Sequence, residues 1–99
     1  MKVMYVYILK CSDGSYYTGV TNNLERRFQE HEQGIYKTCY TFTRRPLEIV
    51  FYEKFNSPAK AISFEKQIKG WRREKKEALI NNDFERLKEI SKSKKKSNS

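Results

Sequence analysis

The apolar positions of the chain fall into blocks with different periods. Residues 3–11, VMYVYILKC, form a nearly continuous apolar run rich in β-branched and aromatic side chains, the pattern of a strand covered on both faces. Ser12-Asp13-Gly14 reads as a turn, and residues 15–20 as a second strand that closes a hairpin with the first. A helix follows, with Asn22 and Glu25 as a capping box, Leu24, Phe28 and Ile35 as its apolar stripe and Gly34 as its stop. Residues 35–46 read as a loop, and after Pro46 a third strand runs over residues 47–55. Ser57-Pro58 is a helix start, Ser as cap and Pro in the first turn, and this helix is expected to run to about Ile80 with a bend at Gly70. A last short helix over residues 83–90 turns Phe84, Leu87 and Ile90 inward. The order ββαβαα predicts an α+β domain in which a three-stranded antiparallel sheet is flanked by helices.

Composition adds a partner class to this outline. In a chain of 99 residues the core must draw on large side chains, and the seven Tyr, six Phe and Trp71 can supply it. The formal charge is +9, but Lys92, Lys94, Lys95 and Lys96 lie where there is nothing apolar to bury, so residues 91–99 are expected to be a disordered basic tail on a domain of residues 1–90. Removing those four charges from +9 leaves +5. A domain that basic favours a polyanion such as nucleic acid; no amphipathic basic helix with an exposed apolar face suggests a membrane surface. Charge by itself serves solubility equally well. The N-terminal apolar stretch is too short and too aromatic for a signal peptide or a spanning helix, so a cytoplasmic protein is expected. Cys11 and Cys39 have no zinc spacing and are read as structural or incidental thiols.

Three sets of residues look out of place in a purely structural scheme. Leu24, Arg27, Phe28 and His31 fall at i, i+3, i+4 and i+7, so Arg27 and the only histidine border the buried stripe of their helix. Glu65 lies within the apolar arc of Ala61, Phe64, Ile68, Trp71, Ala78 and Leu79, where a carboxylate must pair with Arg27, Arg72 or a lysine, collect hydrogen bonds, or bind a metal. The hairpin poses a register question. A two-residue Asp13-Gly14 turn would set Tyr7 and Tyr17 on opposite faces, whereas a three-residue loop with Gly14 in the left-handed conformation places them on one face, Tyr17 opposite Leu9 and about 7–8 Å diagonally from Tyr7. Gly19, beside Tyr17, leaves room for a close approach.

Taken together, Tyr5-Val6-Tyr7, Tyr17-Thr18-Gly19, Asn23-Leu24-Glu25-Arg26-Arg27, His31, Phe64-Glu65-Lys66 and Ile68-Lys69-x-Trp71 resemble the GIY-YIG nuclease domain over nearly residues 4–80, and within it the small stand-alone bacterial members. Tyr5 stands where the family motif has glycine. The resemblance implies a divalent-metal-dependent endonuclease that hydrolyses DNA phosphodiester bonds with low sequence specificity, in repair or recombination, on branched or damaged forms. It assigns Tyr7, Tyr17, Arg27 and His31 to catalysis, Glu65 to Mg²⁺ or Mn²⁺, and Gly19 to the structure of the site; the choice of general base between Tyr7 and His31 stays open. A late asparagine of many relatives has only Asn81 or Asn82 as counterparts. These residue types suit the chemistry, which needs a base for water, a planar cation for phosphate and a hard ligand for the metal.

Arg44, Arg45, Lys69, Arg72, Arg73, Lys75 and Lys76 are candidates to grip the phosphate backbone. The expected partner is therefore nucleic acid, DNA first, with a monomeric enzyme and a protein partner to supply specificity. A competing reading is a nucleic-acid-binding module or partner subunit with a weak or silent site. A third, with the tyrosines as core and Glu65 in a salt bridge, leaves the joint spacing unexplained.

Overall fold

In the computed structural model, which describes residues 2–97 and the side chains of residues 2–90, the first apolar run becomes β1 (Met4–Lys10) and pairs antiparallel with β2 (Tyr16–Thr21). The register sets Leu9 opposite Tyr17 and Tyr7 opposite Gly19, and Gly14 has φ +85°. That is the three-residue loop, and Tyr7 and Tyr17 share a face. β3 (Glu48–Phe55) pairs antiparallel with the other side of β1, giving the order β2-β1-β3. Val6, Tyr7, Ile8 and Leu9 are all buried, which is what a central strand covered on both sides requires. The register shifts between Ile8 and Leu9, which face Phe51 and Ile49, so Val50 is the extra residue of a bulge.

α1 (Leu24–Glu32) starts one residue later than the capping box suggested. Asn23 caps it, not Asn22. Asn23 has the extended backbone of a cap, its side chain accepts the Arg26 N–H at 3.0 Å, and its own N–H is held by the Thr21 hydroxyl. Leu24 and Phe28 pack on Tyr7, Leu9, Cys11 and Leu47, with Tyr17 and Ile49 at the edge of the same cluster. The segment after α1 is not all loop, for Phe42–Arg44 form a 3₁₀ turn. α2 (Pro58–Lys69) begins as expected with the Ser57 hydroxyl accepting the Lys60 N–H at 3.3 Å. Its Phe64 ring meets Phe51 and Phe55, which by register share a face with Ile8 and Met4. α2 thus covers the face opposite to the one that carries Tyr7.

The chain divides into two compact units, residues 1–69 and residues 70–99. The second unit holds α3 (Arg73–Ile80) and α4 (Phe84–Ser97). The single helix expected from residue 58 to 80 is therefore two helices, and Trp71, Ala78 and Leu79 do not share a helix with Glu65. The interruption is more than a bend because Arg72 leaves the helical region, with φ −68° and ψ 159°, two residues after Gly70, whose backbone freedom disfavours helix. Lys75 lies over the Trp71 ring, and Arg86 of α4 pairs with Glu74 of α3. Asn81 ends α3, Asn82 adopts φ +56° in the following turn, and Asp83 caps α4 through the Arg86 N–H at 3.1 Å. The backbone of residues 91–97, expected in a disordered tail, continues α4, and residues 98 and 99 lie outside the described residues.

Candidate functional site

The site grows out of the hairpin and α1. Because Tyr7 stands across from Gly19, its ring lies directly over a residue without a side chain: a Cβ at position 19 would come within 2.4 Å of the Tyr7 hydroxyl and 2.5 Å of Cζ. Gly19 is thus the floor on which the phenol rests. Tyr17 flanks it, with ring centroids 6.4 Å apart. From α1, His31 closes on both rings edgewise, its centroid 6.1 Å from Tyr7 and 5.3 Å from Tyr17.

His31 is interior. It is 2% exposed, although its helical position bordered the apolar stripe in the sequence. It can be buried because both ring nitrogens have partners: Nε2 lies 3.1 Å from the Tyr7 hydroxyl and Nδ1 2.9 Å from Oγ1 of Thr41. Burial holds the His31 pKa below its ordinary value, the positive charge of Arg27 lowers it further, and Glu30 opposes both. Burial likewise pushes the Tyr7 pKa up to about 12, against the charge and hydrogen bond of Arg27. Tyr17 is also raised, first by burial and then by Tyr7 and Cys39. At neutral pH the site therefore rests as two neutral phenols and a neutral imidazole beside a guanidinium.

Arg27 belongs to this group. It reaches Tyr7, lies over the Tyr36 ring with its guanidinium carbon 5.5 Å from the centroid, and meets Glu30 at 3.6 Å. Glu30 in turn accepts the Tyr36 hydroxyl. Tyr36, Cys39 and Thr41 all come from the segment after α1, and the sequence marks none of them as a site residue. A loop residue signals its role only through the contacts it makes, and no periodicity marks these three.

Glu65 stands apart from the Tyr7–His31 group. It is buried on α2 with Ala61 and Ile68, and it makes no hydrogen bond or ion pair with Tyr7, Tyr17, Arg27 or His31. Its partner is Lys69, one helical turn on, at 3.6 Å. An i,i+4 pair of that length with a largely exposed lysine contributes about 0.3–0.5 kcal/mol, well short of the cost of taking a carboxylate out of water. On the same side of the sheet, Thr18 is 3% exposed and its Oγ1 has no hydrogen-bond partner. A carboxylate that its ion pair does not compensate, on the helix packed over a buried hydroxyl without a partner, suits a hard cation that takes its other ligands from water and phosphate. Among the described residues no three His, Cys, Asp or Glu side chains gather to hold a metal without such help.

The candidate phosphate-gripping residues separate into two kinds. Arg44 and Arg45 are engaged within the fold. Arg44 bonds Asp13 at 3.1 Å and the Tyr40 carbonyl at 2.8 Å and covers the Tyr40 ring, while Arg45 donates to the carbonyls of Phe42 and Glu32 at 3.0 and 3.1 Å. Lys69, Arg72, Arg73, Lys75 and Lys76 lie at the end of α2 and the start of α3, with exposed or half-buried side chains. None of the described helices is long and apolar enough to cross a membrane.

Comparison with known proteins meets this geometry. A UPF0213 protein of Syntrophus aciditrophicus is 45% identical over 87 residues, 88% of this chain and the whole of that protein. One from Haloquadratum walsbyi is 47% identical over 76% of this chain and 83% of its own length. The solution NMR structure of a UPF0213 protein from Bacillus halodurans is similar with a TM-score of 0.53 at 40% identity, covering 80% of this chain and 83% of that one. A protein from E. faecalis, also solved by NMR, reaches 0.59 at 35% identity over 85% of this chain and 88% of its own. Residues 3–78, which hold Tyr7, Tyr17, Arg27, His31 and Glu65, match the GIY-YIG catalytic domain, and the chain belongs to that family of nuclease domains.

Proposed function

We propose that this chain is an endonuclease that hydrolyses DNA phosphodiester bonds with Mg²⁺ or Mn²⁺, acts in the cytoplasm as a monomer with little sequence preference, and serves repair or recombination. The observation that carries the reading is the buried Tyr7–His31 hydrogen bond with Arg27 at the phenol. A tyrosine whose pKa is pushed up to about 12 is a poor base unless its proton has somewhere to go, and Nε2 of His31 lies 3.1 Å from the hydroxyl to receive it. As water attacks phosphorus, its proton passes to the Tyr7 oxygen while the phenolic proton passes to His31. The new P–O bond replaces the bond to the leaving oxygen, which takes a proton from solvent. Arg27 offers its planar fork to the phosphate oxygens, and Tyr17 orients the reacting group.

Glu65 would hold the divalent cation, which supplies positive charge where the phosphorane develops its negative charge. β2 is an edge strand touched by α2, and a phosphate at that edge is the element that the Tyr7 group and Glu65 would share. Lys69, Arg72, Arg73, Lys75 and Lys76 would hold the flanking backbone without reading bases, and a protein partner would add specificity.

The test is to incubate the full chain and Glu65→Ala with single-stranded, duplex and branched DNA in Mg²⁺, Mn²⁺ or chelator. Nicking that needs the metal and disappears in Glu65→Ala, with the melting temperature retained, supports the reading. DNA binding without nicking by either protein replaces it with a binding module. A large loss of melting temperature in Glu65→Ala would mean that Glu65 serves the fold and not a metal.

A further inference from the structure

Thr41 is 1% exposed and sits at the start of the 3₁₀ turn, against the side of His31 turned away from Tyr7. We propose that Thr41 is a positioning residue that fixes the His31 tautomer, accepting a hydrogen bond from Nδ1–H so that Nε2 presents its lone pair to Tyr7. This rests on the nuclease reading for its purpose, not for its geometry.

The assignment follows from counting protons. A neutral imidazole carries one N–H, and which nitrogen bears it depends on the partners. The Thr41 hydroxyl also has one proton, which it donates to Sγ of Cys39 at 3.5 Å. Its oxygen, 2.9 Å from Nδ1, is left to accept. With the proton on Nδ1, Nε2 accepts from the Tyr7 hydroxyl at 3.1 Å. In the opposite tautomer Nε2–H would point at the Tyr7 oxygen, and the phenolic proton would have no acceptor along this path. The Cys39 sulfur supports the direction: burial raises its pKa, but hydrogen bonds from the Thr41 and Tyr17 hydroxyls and from the backbone outweigh it and bring the thiol below its ordinary value. The groups that face the imidazole are Tyr7 on β1, Tyr17 on β2, Arg27 and Glu30 on α1, and Tyr36 and Thr41 from the following segment. Among these Thr41 alone meets Nδ1.

The chain has a single histidine, so its two ring nitrogens can be read without ambiguity by long-range ¹H–¹⁵N NMR on the full-length protein. The expected wild-type spectrum at pH 7.5 has Nδ1 protonated and Nε2 bare. Thr41→Val, which keeps the shape and removes the oxygen, should shift the population toward protonated Nε2 and slow nicking by about 10- to 100-fold, the range seen when an outer partner of a working histidine is lost. Thr41→Ser should restore both the tautomer and the rate.

A wild-type protein with Nε2 protonated overturns the inference, whether or not the valine variant folds. So do equal rate losses in Thr41→Val and Thr41→Ser with the tautomer unchanged, which would mark Thr41 as packing alone. If no protein nicks DNA the nuclease reading fails, and the wild-type tautomer with its response to the two substitutions still decides the role of Thr41.

Discussion

Replacing Gly19 by alanine adds one methyl group at the most crowded point of the site. The new carbon would lie 2.4 Å from the Tyr7 hydroxyl and 2.5 Å from Cζ, about 1 Å inside the ordinary carbon contact distance. Tyr7 is 1% exposed and cannot swing into solvent, so the ring must shift by about that distance within a closed layer. Overpacking of this kind costs about 1–3 kcal/mol, and weakening the 3.1 Å hydrogen bond to His31 adds about 1 kcal/mol. At about 4–8 °C per kcal/mol for a chain of this size, the total of about 2–4 kcal/mol means that Gly19→Ala should lower the melting temperature by about 8–32 °C. A displacement of about 1 Å at the reacting group should also cost about 100-fold in nicking rate.

The companion experiment isolates the cause. Tyr7→Phe leaves Cζ in place and should not rescue Gly19→Ala, whereas Tyr7→Leu removes the clashing atoms and should recover much of the lost stability without any activity. Thermal and urea denaturation of the two single mutants and the double mutant give the coupling energy directly. Gly19→Ala within about 0.5 kcal/mol of wild type, or a double mutant no more stable than the sum of its parts, would refute the stacking of Tyr7 on Gly19 as the reason for glycine there.

The internal bonds of Arg45 predict that Arg45→Ala lowers stability by about 1–2 kcal/mol in urea denaturation and leaves the salt dependence of DNA binding unchanged; a slope reduced by about one would make it a phosphate contact after all. Because the His31 pKa is lowered in the fold, the unfolded chain takes up the proton first, so this stability is complete above pH of about 6.5 and declines as pH falls below it. Urea midpoints from pH 7.5 to 5.5 should slope accordingly, and less so in His31→Gln. For Tyr7, raised to about 12, the unfolded chain loses its proton first, so stability holds below pH of about 10 and declines from there toward 12, a loss that Tyr7→Phe should reduce.

The unbroken apolar run of residues 3–11 carried the covering of β1 on both faces, because such a strand has no polar phase. The hairpin register was open in the sequence, because Asp13-Gly14 suits a two-residue turn as well as the end of a three-residue loop; the pairing of Leu9 with Tyr17 decides it. The depth of His31 was not legible: helical spacing placed it at the margin of a stripe, and only the phenol on one side and Thr41 on the other make burial tolerable. Arg44 and Arg45 read as surface cations because charge says nothing of the carbonyls a guanidinium will find. The break after α2 was hidden for a similar reason, since one glycine in a helical pattern signals a bend and a full interruption equally well.

The loop between β1 and β2 sets more than the course of the chain. Each strand residue changes sides with a one-residue slip, so deleting a single amino acid from Ser12-Asp13-Gly14 would send Tyr17 to the far side of the sheet while every residue of the candidate site remained in the gene. The length of that turn therefore decides whether the two phenols meet at all, and it is written in three residues that stand outside their cluster.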